Sequence, residues 1–165
     1  MKLEDRPLPS ACTISSRMNA LFQLVSEPEI EHVLPLMREF YSQQEMVFDE
    51  AVARTALNKV VANPALGQVY LIFRQQELAG YFVLTFCFSL EFRGKFALLD
   101  ELYLREPFRR QKFGRSAVEF AQRICRDAGI KALRLEVWTG NQAAQSLYKA
   151  EGFKTEERFL MTKWL

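Results

Sequence analysis

Leu99 to Ser116 reads LDELYLREPFRRQKFGRS. Three textures follow one another in this stretch. An acidic pair, Asp100 and Glu101, sits inside an apolar, β-forming run from Phe96 to Leu104. Arg105-Glu106-Pro107 then ends the run, because the residue before a proline is pushed away from helix and the proline breaks the ladder. A basic loop, Arg109-Arg110-Gln111-Lys112, leads into Phe113-Gly114-Arg115, where apolar residues begin to recur at helical spacing. The first turn of a helix presents unpaired N–H groups and the positive end of the helix dipole. A phosphate binds there readily, and a glycine lets it approach the backbone. Arg105, Arg109, Arg110, Lys112 and Arg115 crowd that turn. On these residues alone the stretch reads as a strand followed by a phosphate-binding helix start, the alternative being a solvated basic face.

The pattern extends outward on both sides. Phe113, Ala117, Phe120, Ala121, Ile124, Cys125 and Ala128 lie on one face of a helix over 113–128, which Gly129 stops. Ala132 to Trp138 alternates as a strand. Asn141 caps a short helix carrying Ala144, Leu147 and Tyr148, with Gly152 as its stop, and Phe159 to Leu165 reads as a last strand. Upstream, 69–74, 78–90 and 96–104 are strands joined by Gln75-Gln76 and Glu91–Lys95, an antiparallel meander. The 78–90 run is almost wholly apolar, so both its faces are expected to be covered. Leu21–Val25 forms a first strand. Ser26 and Glu29 then make a capping box before Ile30, Val33, Leu34, Met37, Phe40 and Tyr41. Pro35 predicts a kink or break. A second helix starts near Asp49 and ends at Asn63-Pro64. Residues 1–19, with Pro7 and Pro9, read as a loose arm, and 20–165 as a single domain. The order β-α-α-β-β-β-α-β-α-β makes this an α+β protein, a mixed α/β arrangement around one mostly antiparallel sheet flanked by helices.

Composition narrows the function. The 165 residues are 49% hydrophobic and 25% charged, which excludes wholesale disorder. Twenty-two Lys and Arg against twenty Asp and Glu leave a formal charge of +2, too balanced to argue for nucleic acid. Cys12, Cys87 and Cys125 have no C-x-x-C spacing and read as free thiols in a reducing cytoplasm. A lone His32 allows neither a histidine-based triad nor a zinc site with several imidazoles, and no metal ligands are evident. The N-terminus lacks an apolar h-region, and Leu78–Leu90 is too short and too β-rich to be a membrane helix.

Arg109-Arg110-Gln111-Lys112-Phe113-Gly114 resembles the acetyl-CoA loop of the GNAT superfamily of N-acetyltransferases, Arg/Gln-x-x-Gly-x-Gly/Ala. Lys112 stands where the pattern has its first glycine. Downstream, Asn141-Gln142-Ala143-Ala144-Gln145-Ser146-Leu147-Tyr148 is similar to the family's Asn-x-x-Ala-x-x-Leu/Phe-Tyr helix, and Gly152-Phe153 to the Gly-Phe after it. With the two helices and the meander, the likeness covers roughly 21–165. It implies a GNAT-like fold using acetyl-CoA as co-substrate and no metal. Backbone groups of Leu102, Tyr103 and Leu104 would pair with the pantetheine arm. Amides of Arg109, Arg110, Gln111, Lys112, Phe113, Gly114 and Arg115 would hold the pyrophosphate. Asn141 would cap its helix and approach the co-substrate, and Tyr148 would face the thioester sulfur as general acid or thiolate stabiliser.

The implied chemistry is aminolysis of a thioester, whose amine arrives as an ammonium and must lose a proton. Asp100 and Glu101 are the candidate bases. A regular strand would turn only one of them to the cleft, and a bulge would blur that rule; position in the motif favours Asp100. Tyr41, Ser89 and Glu91 are weaker candidates for an acceptor pocket, with Asp49 and Glu50, although acidic residues in turns and caps are more often simply solvated. The expected partner is a small-molecule amine or a peptide amine, with no nucleic acid and no membrane; homodimers are common among such proteins. Acetylation of a protein lysine or N-terminus, or a non-catalytic CoA-binding regulatory domain, stand as alternatives.

Overall fold

The computed structural model describes residues 13–15 and 20–165. A six-stranded sheet runs in the order β1 (Thr13–Ser15), β2 (Ala20–Leu24), β3 (Gly67–Arg74), β4 (Glu77–Ser89), β5 (Gly94–Leu104) and β6 (Leu133–Leu135). Neighbours are antiparallel except β5 and β6, which are parallel. The helices are α1 (Ile30–Gln43), α2 (Glu50–Ala62), α3 (Phe113–Asp127) and α4 (Gln142–Ala150). The mixed, mostly antiparallel α+β architecture is therefore the observed one. None of the described helices is long and apolar enough to cross a membrane.

The sheet has a core on each face. Phe22, Tyr70, Phe82, Leu84 and Leu99 pack beneath α3 against Phe113, Phe120 and Ile124, with Phe22 and Phe120 stacked at 4.5 Å. Val69, Leu71, Tyr81, Val83 and Tyr103 pack on the opposite face against α1 and α2. The alternation of these residues along β4 and β5 follows from strand geometry, in which successive side chains point to opposite faces.

Local signals explain most boundaries. The Ser26 N–H donates to Glu29 Oε2 at 2.8 Å at the 3₁₀ turn that opens α1. Asp49 caps α2 by accepting from the N–H groups of Ala51 and Val52 at 2.9 and 3.1 Å. Pro35 neither breaks nor interrupts α1: it lies on the exposed side, and the Glu31 carbonyl it leaves unpaired faces the solvent side of the helix too.

Four expectations are corrected. The 132–138 strand shrinks to Leu133–Leu135, and 159–165 forms no strand. Phe159, Leu160, Met161 and Trp164 are exposed there, because the short β6 ladder offers no length against which a further strand could pair. Strand β4 is covered on both faces only as far as Leu84; its outer half is partly exposed. Within the stretch read as an arm, Thr13–Ser15 pair with β2; 1–12, including Cys12, and 16–19 lie outside the described residues.

Two backbone features shape the inner sheet and the start of α3. At Gly80 on β4 a Cβ would lie 2.0 Å from the Tyr103 carbonyl oxygen, so the two strands approach closely there. At the start of α3, Lys112 is left-handed, with φ 65° and ψ 4°, and Arg110 likewise has φ 59°. The left-handed conformation costs a side-chain-bearing residue about 1–2 kcal/mol, more than glycine loses in extra chain entropy. Lys112→Gly should therefore stabilise the fold by about 0.5–1 kcal/mol, raising the thermal midpoint by about 1–3 °C. An unchanged or lower midpoint in calorimetry would show that no strain is held there.

Candidate active site

Strand β5 carries one residue more than its partner. Val83 pairs with Glu101 and Leu84 with Leu99, which leaves Asp100 as the extra residue of a bulge. Leu99 consequently faces the α3 core, while Glu101 faces the α1 side with Val83 and Tyr103. Beyond the bulge the Arg105 N–H donates to the Ala79 carbonyl at 2.9 Å. By alternation, the N–H and C=O groups of Leu102 and Leu104 turn to the other edge. Strand β6 pairs along that edge only with Ala97–Leu99. The sheet is thus open from Glu101 to Leu104, beside the first turn of α3.

Glu101 is held from two elements. The Tyr41 hydroxyl of α1 donates to Oε1 at 2.8 Å and the Tyr81 hydroxyl of β4 donates to Oε2 at 2.7 Å. Burial raises its pKa, the two phenols oppose that rise, and the charge of Asp100 adds to it. Asp100 keeps an exposed side chain, but crowding of its carboxyl by the surrounding protein raises its pKa as well. No side chain among the described residues hydrogen-bonds it. The extra residue brings both acids within electrostatic reach of Tyr41.

The basic loop is partly occupied by its own protein. Arg109 Nε donates to the Leu104 carbonyl at 2.7 Å, and its Nη2 donates to Gln43 Oε1 at 2.5 Å. Arg105 pairs with Glu39, whose carboxyl it holds below the usual range, and Tyr103 donates to Glu39 at 3.1 Å. Glu39, Gln43, Tyr103 and Arg105 line an open groove of about 480 Å³ at the end of α1. Arg115 pairs with Glu151 at 2.7 Å and with Glu119. Gln111 donates to the Pro107 carbonyl at 2.6 Å. Phe113 is core. Arg110 and Lys112 have no ion pair among the described residues. The left-handed step at Lys112 followed by helical Phe113 is the backbone pattern that gathers consecutive N–H groups into an anion-binding concavity. Gly114 follows in the same turn, where a Cβ would press on the side-chain ends of Leu147, at 3.2 Å, and Leu104, at 3.7 Å.

The remaining candidates divide. Asn141 caps α4, accepting from the Ala144 N–H at 3.1 Å. Tyr148 packs on Phe153 at the edge of the α3 core, and burial raises its pKa; its hydroxyl makes no hydrogen bond to the described residues. Ser89 and Glu91 sit at the β4–β5 turn, about 20 Å along the sheet from Glu101 at the usual rise per residue. Glu91 is taken up by Arg158, at 2.6 and 3.0 Å. Asp49 is a helix cap, and Glu50 pairs with Arg38 and Arg54. His32 is exposed on α1, Cys87 is half-buried and Cys125 is buried, its thiol pushed up to about 11. Tyr81, Glu39 and Gln43 were not singled out from the sequence. Tyr81 had a usable signal, since a phenol in an otherwise apolar strand needs a polar partner. Among the described residues no cluster of three or more His, Cys, Asp or Glu is placed to hold a metal ion.

Comparison with known proteins places this arrangement in a family. A bovine (Bos taurus) thialysine N-epsilon-acetyltransferase is 31% identical over 75 residues, which is 46% of this chain. The chain covers 44% of that relative's length. An integron cassette protein, HFX_CASS3, from the mobile metagenome of Cole Harbour Salt Marsh superposes with a TM-score of 0.78 at 27% identity, over 87% of this chain and 90% of the other. The aminoglycoside N-acetyltransferase AAC(6')-Iy in complex with CoA shares the fold, with a TM-score of 0.74 at 12% identity over 92% and 99% of the two chains. Residues 30–153 match the acetyltransferase (GNAT) family. With its bulged strand, open sheet edge and glycine at the helix start all inside the matched span, the chain is a member of the GNAT acetyltransferase family.

Proposed function

We propose that the protein moves an acetyl group from acetyl-CoA to a primary amine by direct attack. The observation that carries this reading is the open edge of β5, flanked at one end by two carboxylates of raised pKa and at the other by the α3 N-terminus. The free backbone groups of Leu102 and Leu104 suit an extended amide-bearing arm that pairs as an added strand. The N–H groups from Lys112 to Arg115, with the unpaired cations of Arg110 and Lys112, suit the pyrophosphate. The thioester supplies an activated acyl carbon and a thiolate leaving group.

The chain's own groups do the rest. One carboxylate of the Asp100–Glu101 pair takes a proton from the acceptor ammonium. The freed lone pair forms the C–N bond, and the C–S bond breaks with its electrons left on sulfur. Tyr148 gives the thiolate a proton and regains one from the nitrogen through solvent. Its raised pKa keeps it a donor. Cys125 has no base partner and its thiol is pushed up, which argues against an acyl-enzyme. The free thiols of Cys87 and Cys125 fit a cytoplasmic setting. Thialysine and aminoglycosides, the acceptors named for the relatives, support a small cationic amine as acceptor. A screen of these amines and of lysine peptides for CoA release tests the reading. Tight acetyl-CoA binding with no turnover on any amine would favour a regulatory CoA-binding domain.

Three substitutions separate the roles. Gly114→Asp should weaken acetyl-CoA binding by more than about tenfold in calorimetry, because it places a negative charge in the first turn of α3, beside Leu104 and Leu147, where the phosphates need the positive end of the helix; Gly114→Ala controls for the side chain alone, and equal affinities for wild type and Asp variant would refute the placement. Tyr148→Phe should lower kcat by on the order of 100-fold with the acetyl-CoA Kd unchanged, since the phenol acts only on the departing thiolate. A normal kcat would make Tyr148 a packing residue. Asp100→Asn and Glu101→Gln should differ, one costing on the order of 100-fold in rate. The rate should rise with pH through a limb above the ordinary carboxylate range, because a base of raised pKa stays protonated to higher pH. Small, equal effects would remove the carboxylate base.

A further inference from the structure

The arrangement around Glu101 is more elaborate than a single general base requires. Its two oxygens are bonded separately, Oε1 by Tyr41 and Oε2 by Tyr81. The donors come from different elements and are themselves fixed. Tyr81 is fully buried in β4, and Tyr41 is wedged edge-on between Phe40 and Phe48, with ring centroids at 5.8 and 5.5 Å. Burial and the charge of Glu101 push both phenols above their ordinary range, so both stay protonated and have a proton to donate. The last torsion of a glutamate is broad, and a carboxylate free to turn would present no fixed oxygen. Each oxygen can accept two hydrogen bonds, so the clamp leaves one site on each for an ammonium.

The surroundings put this anion where a cation is otherwise missing. The titratable groups that act on Glu101 are Tyr41 from α1, Tyr81 from β4 and Asp100 from β5, with Tyr103 of β5 beside Tyr81. Arg38 is paired with Glu50, Arg105 with Glu39, and Arg109 is held by Gln43 and Leu104. Glu101 therefore has two phenols and no cation as partners among the described residues.

We propose that Tyr41 and Tyr81 are positioning residues for acetyl transfer: their hydroxyls clamp both oxygens of Glu101, and so fix the carboxylate that receives the acceptor's ammonium and its proton. The inference rests on the acetyl-transfer reading above and assigns Glu101 the role left open between the two acids. Asp100, exposed and without a hydrogen-bonding side-chain partner among the described residues, contributes charge to the same region.

The test uses the full chain with ¹³C-carboxyl-labelled glutamate, the Glu101 resonance being identified by its loss in Glu101→Gln. Removing a donor to the anion favours the protonated form, so Tyr81→Phe and Tyr41→Phe should each raise the Glu101 titration midpoint by about one pH unit, the size of a hydrogen bond to a charged group. With whichever amine the screen shows to be acetylated, the acid limb of kcat/KM should move up by the same amount, while the acetyl-CoA Kd stays put. Tyr41 is only half-buried, so its variant keeps the test open if Tyr81→Phe fails to fold. Two folded variants with an unmoved Glu101 midpoint would overturn the clamp. A midpoint that moves while the limb of an active enzyme does not would overturn Glu101 as the proton acceptor. Absence of turnover on every amine in the wild type would instead overturn acetyl transfer, and the proposal with it.

Discussion

At Asp100 the polypeptide spends one residue that β4 does not match, and the site is organised around that mismatch. A bulge changes the facing of every later side chain and sharpens the local twist. Before it, Leu99 serves the α3 core; after it, Glu101 and Tyr103 serve the α1 face and Leu102 and Leu104 the α3 face. Pairing with β6 ceases at Leu99, just before the bulge. One local irregularity thus coincides with two properties a regular strand would not combine: adjacent acids near a common aromatic wall, and a stretch of backbone with one edge unpaired. In a folded protein unpaired edges are normally covered or blunted. Here the end of the edge lies beside the start of α3, with Leu104 of β5 and Leu147 of α4 on either side of Gly114.

The second organising feature is a polar seam between α1 and the basic loop. Glu39, Gln43, Tyr103, Arg105 and Arg109 bond one another across elements far apart in sequence. The seam ties the helix that carries Tyr41 to the strand end and to the loop that opens α3. Exposed ion pairs contribute little each, but a network with shared partners orders its members at a lower entropy cost than isolated pairs do. Arg105, Arg109 and Arg115, which look like phosphate ligands in the sequence, are in the structure engaged by the protein's own groups, while Arg110 and Lys112 have no ion pair among the described residues.

Much of this was legible from the residues. The α3 stripe, the Asp49 cap and the tight turns after Arg74 and Ser89 rest on local rules, and the chain obeys them. So does the Asn141 cap. What escaped depends on partners distant in sequence. Phe159–Leu165 has strand-like residues but no strand to join, and strand formation is a property of pairs. Ser89 and Glu91 were pocket candidates on residue type alone; the β4–β5 hairpin carries them to its tip, away from the acids. Tyr81 was hidden among Phe82, Val83 and Leu84, where its ring does the work of packing and only its hydroxyl does something else. Lys112 stands at the glycine position of the family pattern, and its left-handed backbone gives the physical reason glycine is the usual occupant.

Gly80 ties the sheet's interior to the open edge of β5. Its bare backbone lies against the Tyr103 carbonyl, on the strand whose far side is the open edge. Any side chain there has to push residues 103 and 104 outward, and outward is into the cleft. A chain that tolerated the change by bending would keep its core and shift the open edge. A side chain at Gly80 would thus be felt first in the backbone of residues 103 and 104 and so at the sheet's open edge, on the far side of β5 from where it was added.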